Sequence, residues 1–70
     1  MIQQMDIVYI LTDVLDTNGS VMQPETTGRG TVIGWIGFDT AIVQWGSAGE
    51  YRYAHVKISD LRKYETRSHK

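Results

Sequence analysis

Side chains do chemistry in a few recognisable combinations: a nucleophile beside a base, paired carboxylates, a metal-ligand set, or rings and charges that hold a partner. This sequence writes only the last of these. It has no cysteine, and its two histidines are His55 and His69. Disulfides and Cys-based zinc sites are therefore excluded. Asp13, Asp16 and Glu25 come nearest to a cation site, yet their spacing is not that of an EF-hand and no glycine stands where that loop demands one. Gly28-Arg29-Gly30 lacks the Lys-Ser/Thr and the following helix of a phosphate loop. No catalytic residue, metal ligand or cofactor is expected, and the chain does not read as an enzyme.

The partner-holding residues form two sets. Trp35, Tyr51 and Tyr53 are aromatic residues on neighbouring apolar runs. If Val32 and Ile36 point inward, period-2 alternation turns Trp35 outward beside the two tyrosines. That would make a platform for a protein partner, with Asp13, Asp16 and Glu25 as an acidic arm beside it. The same rings serve equally to cover an open end of the fold or to bury a contact between copies in a homo-oligomer, and the acids to solvate a loop. The second set is basic. Formal charge runs from −4 over residues 1–27 through −1 over 28–50 to +4 over 51–70, against −1 for the whole chain. Arg29, Arg52, Lys57, Arg62 and Lys63 could meet nucleic-acid phosphates, or simply solvate the C-terminal end. His55 lies between Arg52 and Lys57 and reads as structural.

These residues are positioned by Gly28–Trp45, GRGTVIGWIGFDTAIVQW. Two runs rich in Val, Ile, Thr and Trp flank Gly37-Phe38-Asp39, the pattern of a β-hairpin. Val32, Gly34 and Ile36 share one face of the first run; Ala41, Val43 and Trp45 share one face of the second, which makes Trp45 a core residue whose indole N–H needs a partner. Asp6–Leu11 is an earlier strand, apolar on both faces. Thr12–Thr27 is a long first loop, turned at Asn18-Gly19. Within it Val14-Leu15 and Val21-Met22 make an arm folded over on itself, ended by Pro24. Gly46–Gly49 is a second tight turn and Tyr51–Val56 a fourth strand. Ile58–Leu61 suits one 3₁₀ turn, and Arg62–Glu65 adds a fifth strand through Tyr64.

No segment keeps helical periodicity over ten residues, so the class is all-β. Five short strands escape exposed edges most simply by curling into a small barrel. Three segments carry a resemblance to the SH3-like small barrels, in the broad sense that includes KOW and Tudor-type domains. They are Gly28-Arg29-Gly30-Thr31-Val32, then Ile42-Val43-Gln44-Trp45 with Gly49, then Ser59-Asp60-Leu61. The resemblance covers roughly residues 6–65 and implies a five-stranded barrel with a long first loop and one 3₁₀ turn before the last strand. The first loop lacks the aromatics of proline-peptide-binding SH3 domains, and the chain lacks the basic density of ribosome-associated KOW domains. Gly30–Trp35 is also similar to the Gly-x-Ile-Val-Gly-Trp of the plasmid-borne, tetrameric type of dihydrofolate reductase. The pore-lining Val-Gln-Ile-Tyr of that family is matched only by Val43-Gln44, in a different strand.

With 70 residues the chain is one domain near the lower limit for an independent core. The expected organisation is a flexible lead-in over 1–5, a barrel over 6–65 and a disordered tail over 66–70. No apolar stretch approaches the ~20 residues of a membrane span, and MIQQMDIVYIL lacks a basic n-region, so a cytoplasmic setting is expected. The expectation is a non-catalytic interaction module, in the style of phage or plasmid accessory proteins. It would bind a protein through Trp35, Tyr51, Tyr53 and the acidic loop, or alternatively nucleic acid through the basic set.

Overall fold

The computed structural model describes residues 1–65; the polar tail expected over 66–70 lies outside them. The first strand, β1 (Ile7–Ile10), leads into a two-stranded arm, β2 (Val14–Leu15) and β3 (Val21–Met22), followed by a one-turn helix, α1 (Pro24–Thr27). Then come β4 (Gly30–Ile36), β5 (Thr40–Ser47), β6 (Glu50–Lys57), a 3₁₀ turn at Ile58–Asp60 and β7 (Leu61–Lys63). The protein is all-β apart from these single turns.

One antiparallel sheet runs in the order β6-β5-β4-β1-β7. The central hairpin is where the residue pattern puts it, around a Gly37–Asp39 turn. The next hairpin is longer than expected. Ser47 pairs with Glu50, so the ladder runs past Gly46 and only Ala48 and Gly49 remain as the turn. Among the described residues no ladder joins β6 to β7; both are edges, and the sheet stays open.

Alternation sorts the side chains cleanly. Val8, Ile10, Val32, Ala41, Val43, Trp45, Ala54, Val56 and Leu61 all point to one face and form the core. Met22 joins them from the arm, 2 % exposed. Trp45 is buried as expected, but its Nε1–H has no hydrogen-bond partner among the described residues. The indole lies over Gly30, where a Cβ would stand 2.7 Å from both Cε2 and Nε1. Only a glycine leaves room for that ring.

The expected phase of β4 fails after Val32. Val32 pairs with Val43, but Gly34, not Ile33, pairs with Ile42, so Ile33 is the extra residue of a β-bulge. A bulge shifts the alternation by one position. Beyond it Trp35 pairs with the buried Ala41 and packs half-buried against the core, while Ile36 is 45 % exposed. Trp35 thus does not share a face with Tyr51 and Tyr53.

The long first loop is ordered by its own polar groups. Gly19 takes a φ of 85°, which closes the arm at the expected Asn-Gly turn. At the other end of the arm Pro24 opens α1, its missing N–H costing nothing in a first turn. The lead-in is tied to β4: Met5 N–H donates to the Val32 carbonyl at 2.6 Å, and the Gln4 side chain to that of Ile33 at 3.1 Å. Among the described residues no helix is long and apolar enough to cross a membrane.

Candidate functional site

Two segments at opposite ends of the chain build the best-defined surface feature. Tyr9 on β1 stands opposite Arg62 on β7, so both point to the face away from the core. Tyr64 follows one step later, its N–H bonded to the Ile7 carbonyl at 2.8 Å. The alternation brings its ring to Tyr9: the centroids are 5.7 Å apart at 71°, an edge-to-face pair. Arg29, just ahead of β4, lays its guanidinium 4.9 Å from the centre of the Tyr64 ring, within the range of a cation–π contact. Tyr9, Arg62, Lys63, Tyr64 and Glu65 line a cavity of about 320 Å³. Lys63 also meets Asp6 at 3.5 Å, a surface pair tying the ends of β1 and β7. Arg29 and Arg62 therefore share the face of the two rings, while Lys63, opposite Val8 and turned to Asp6, borders the same cavity from the edge.

The sequence set for nucleic acid is thereby divided. Arg29, Arg62 and Lys63 come together, whereas Lys57 sits at the far end of β6, opposite Thr40. Arg52 is engaged by Asp16, Nε to Oδ2 at 2.8 Å. Tyr9 and Tyr64 belong to the corner although neither stood out in the sequence. The signal available was the spacing Arg62-x-Tyr64, which puts both residues on one strand face.

The protein-binding set is divided as well. Tyr51 and Tyr53 do form a pair on the outer face, centroids 6.5 Å apart, and Gln44 Nε2 donates to the Tyr53 hydroxyl at 3.0 Å. Trp35 faces the core. Asp13 and Glu25 are exposed, but the side chain of Asp16 is only 3 % accessible.

Asp16 is the fastening of the arm. Its Oδ1 accepts the Asn18 and Ser20 backbone N–H groups, each at 2.9 Å, while Oδ2 takes Arg52 of β6. Thr17 N–H adds a bond to the Tyr53 carbonyl at 2.8 Å, covering part of the β6 edge. The Ser20 N–H, then the Arg52 side chain, hold the carboxyl below its ordinary range, against the opposing effect of burial. A group with a lowered folded pKa stabilises the fold above its unfolded value and loses that contribution as pH falls through the folded one. The melting temperature should be level from neutral pH to about pH 5 and drop below about pH 4. In Asp16→Asn it should start roughly 5 °C or more lower at neutral pH and drop less steeply in acid. Equal acid slopes in the two proteins would rule Asp16 out as the cause.

No protein-family model, no curated protein and no solved structure matches this chain.

Proposed function

We propose that the protein is a small, non-catalytic, SH3-like binding module for nucleic acid, and that the corner of Tyr9, Arg29, Arg62, Lys63 and Tyr64 is its contact surface. The SH3-like assignment rests on the five strands, the long first loop and the 3₁₀ turn before the last strand. The five-stranded sheet is open between β6 and β7, with the arm fastened at the β6 edge. The observation that carries the function is the gathering of Arg29, Arg62 and Lys63 at one corner with an edge-to-face tyrosine pair, by segments far apart in the sequence. Cations neutralise phosphates and release counterions, and tyrosine rings stack on bases. Arg67 and Lys70 follow in the sequence and add to the same sign of charge. A protein partner is the second reading. It draws on Tyr51, Tyr53 and the exposed Asp13 and Glu25, since Trp35 and Asp16 are occupied within the fold.

The test is fluorescence anisotropy with a labelled single-stranded oligonucleotide. Three neutralised phosphates give a slope of about −2 in log affinity against log salt for a single strand, so raising salt from about 50 to about 200 mM should weaken binding more than tenfold. Arg62→Glu with Lys63→Glu should abolish detectable binding, while Lys57→Gln should stay within about twofold of the parent. Absence of salt-sensitive binding by the parent protein would turn the search to a protein partner on Tyr51 and Tyr53.

A further inference from the structure

We infer, building on the nucleic-acid reading, that the outer face of the sheet is a track for one unpaired strand, running from Tyr64 and Tyr9 at one edge to Tyr53 and Tyr51 at the other. Register puts one residue of each strand in a single row. Ile7 pairs with Thr31, Thr31 with Gln44, and Gln44 with Tyr53. The Tyr64 N–H bond to Ile7 extends that row past β7. Directly paired residues of antiparallel strands project to the same side, so Tyr64, Ile7, Thr31, Gln44 and Tyr53 lie side by side on the face opposite the core. The row crosses before the Ile33 bulge, which leaves its alternation undisturbed.

Its chemistry suits one occupant. Rings stand at both ends: Tyr64 against Tyr9, and Tyr53 against Tyr51. Between them Thr31 offers a hydroxyl and Gln44 an amide, whose nitrogen already serves Tyr53 while its oxygen can accept from a base edge. Opposite Tyr51 stands Gly46, so no side chain crowds that ring from β5. Charge points the same way. Among the described residues the one carboxylate in any strand is Glu50, opposite Ser47 and in the alternate set to Tyr51 and Tyr53. Four interstrand steps of ~4.8 Å make the row ~19 Å long, a length suited to about four nucleotides, the low end of site sizes for a small barrel. A duplex keeps its bases stacked on each other, so it can use the cations of the corner but not the rings.

The experiment measures affinities at fixed low salt for oligo-dT of about 2, 4, 8 and 12 nucleotides. Oligo-U of the same lengths and a duplex of about 12 base pairs complete the set. Affinity should climb steeply to about four nucleotides and then only gradually, with the duplex roughly tenfold weaker than the longest single strand. Tyr53→Ala and Tyr51→Ala should each weaken the eight-nucleotide strand about tenfold and leave the dinucleotide unchanged; Tyr53→Phe, which keeps the ring, should stay within about twofold. Equal gains on oligo-dT and oligo-U would assign the track to stacking; a strong preference for oligo-U would assign it to the 2′-hydroxyl as well. Both support the track. Tight duplex binding, or unchanged long-strand affinity in both tyrosine variants, would overturn it while leaving the basic corner in place. Failure of every oligonucleotide to bind would instead overturn the nucleic-acid reading itself.

Discussion

Gly30→Ala should lower the unfolding temperature of this protein sharply, because the added methyl lands inside the core. The new Cβ would fall 2.6 Å from Val43 Cγ1 and 2.7 Å from Trp45 Cε2 and Nε1, inside the core and beneath a ring with nowhere to go. Val43 is fully buried and Trp45 is 4 % exposed, so neither can swing into solvent to make room. Overpacking of this kind costs about 1–3 kcal/mol, which for a domain of this size lowers the melting temperature by roughly 5–20 °C. Gly34→Ala is the matched control, four positions along the same strand but on the outer face. Its Cβ would meet only Ile42 Cδ1, at an ordinary 3.5 Å. That substitution should be neutral within about 0.5 kcal/mol. Thermal unfolding of the two variants side by side decides the matter, and equal melting temperatures would mean that Trp45 does not sit over Gly30.

The contrast between these two glycines marks what could be read from the residues and what could not. Runs of β-branched and apolar residues located β1, β4, β5 and β6, and alternation gave the core face of β5, though not of β1, which is apolar on both faces. The 3₁₀ turn was legible from the spacing of Ile58 and Leu61, which leaves no room for more. The bulge at Ile33 was not legible, since an inserted residue leaves the apolar run intact and changes only which partner each residue faces. That one residue reversed the expected directions of Trp35 and Ile36, and with them the proposed aromatic platform. Long-range pairing hid the rest. Tyr9 and Tyr64 meet only because β1 and β7 are neighbours, and Asp16 reaches Arg52 only because the arm folds onto β6. A charge in a loop reads as solvated until the fold supplies its counter-charge. The corner's cations were visible as a list, but which three would assemble was a property of the sheet order.

Met22→Ala should be the most damaging truncation outside the sheet, and the result bears on what the arm is. In sequence Met22 lies within a loop, two residues before a proline; in the fold its side chain is 2 % exposed, packed with the core of the five-stranded sheet. Val14, paired with it across the arm, packs beside the same core, whereas Leu15 and Val21 pair on the opposite side and are 60 % and 57 % exposed. The arm is therefore a lid with one apolar face inward, and Met22 is its main anchor. Removing a buried methionine side chain costs about 2–5 kcal/mol through lost transfer energy and the cavity left behind. A core of this size supplies only about 3–5 kcal/mol in total, so a large share of the variant should be unfolded at room temperature. Leu15→Ala, made in the same arm, should change stability by less than about 0.5 kcal/mol. Urea denaturation followed by tryptophan fluorescence separates the two, since Trp45 reports on the core beneath the arm. If Met22→Ala kept the parent's midpoint, the arm would be an appendage held by Asp16 and Arg52 alone. A large loss makes it the sixth wall of the core, closing by side-chain packing what the unpaired edges of β6 and β7 leave open.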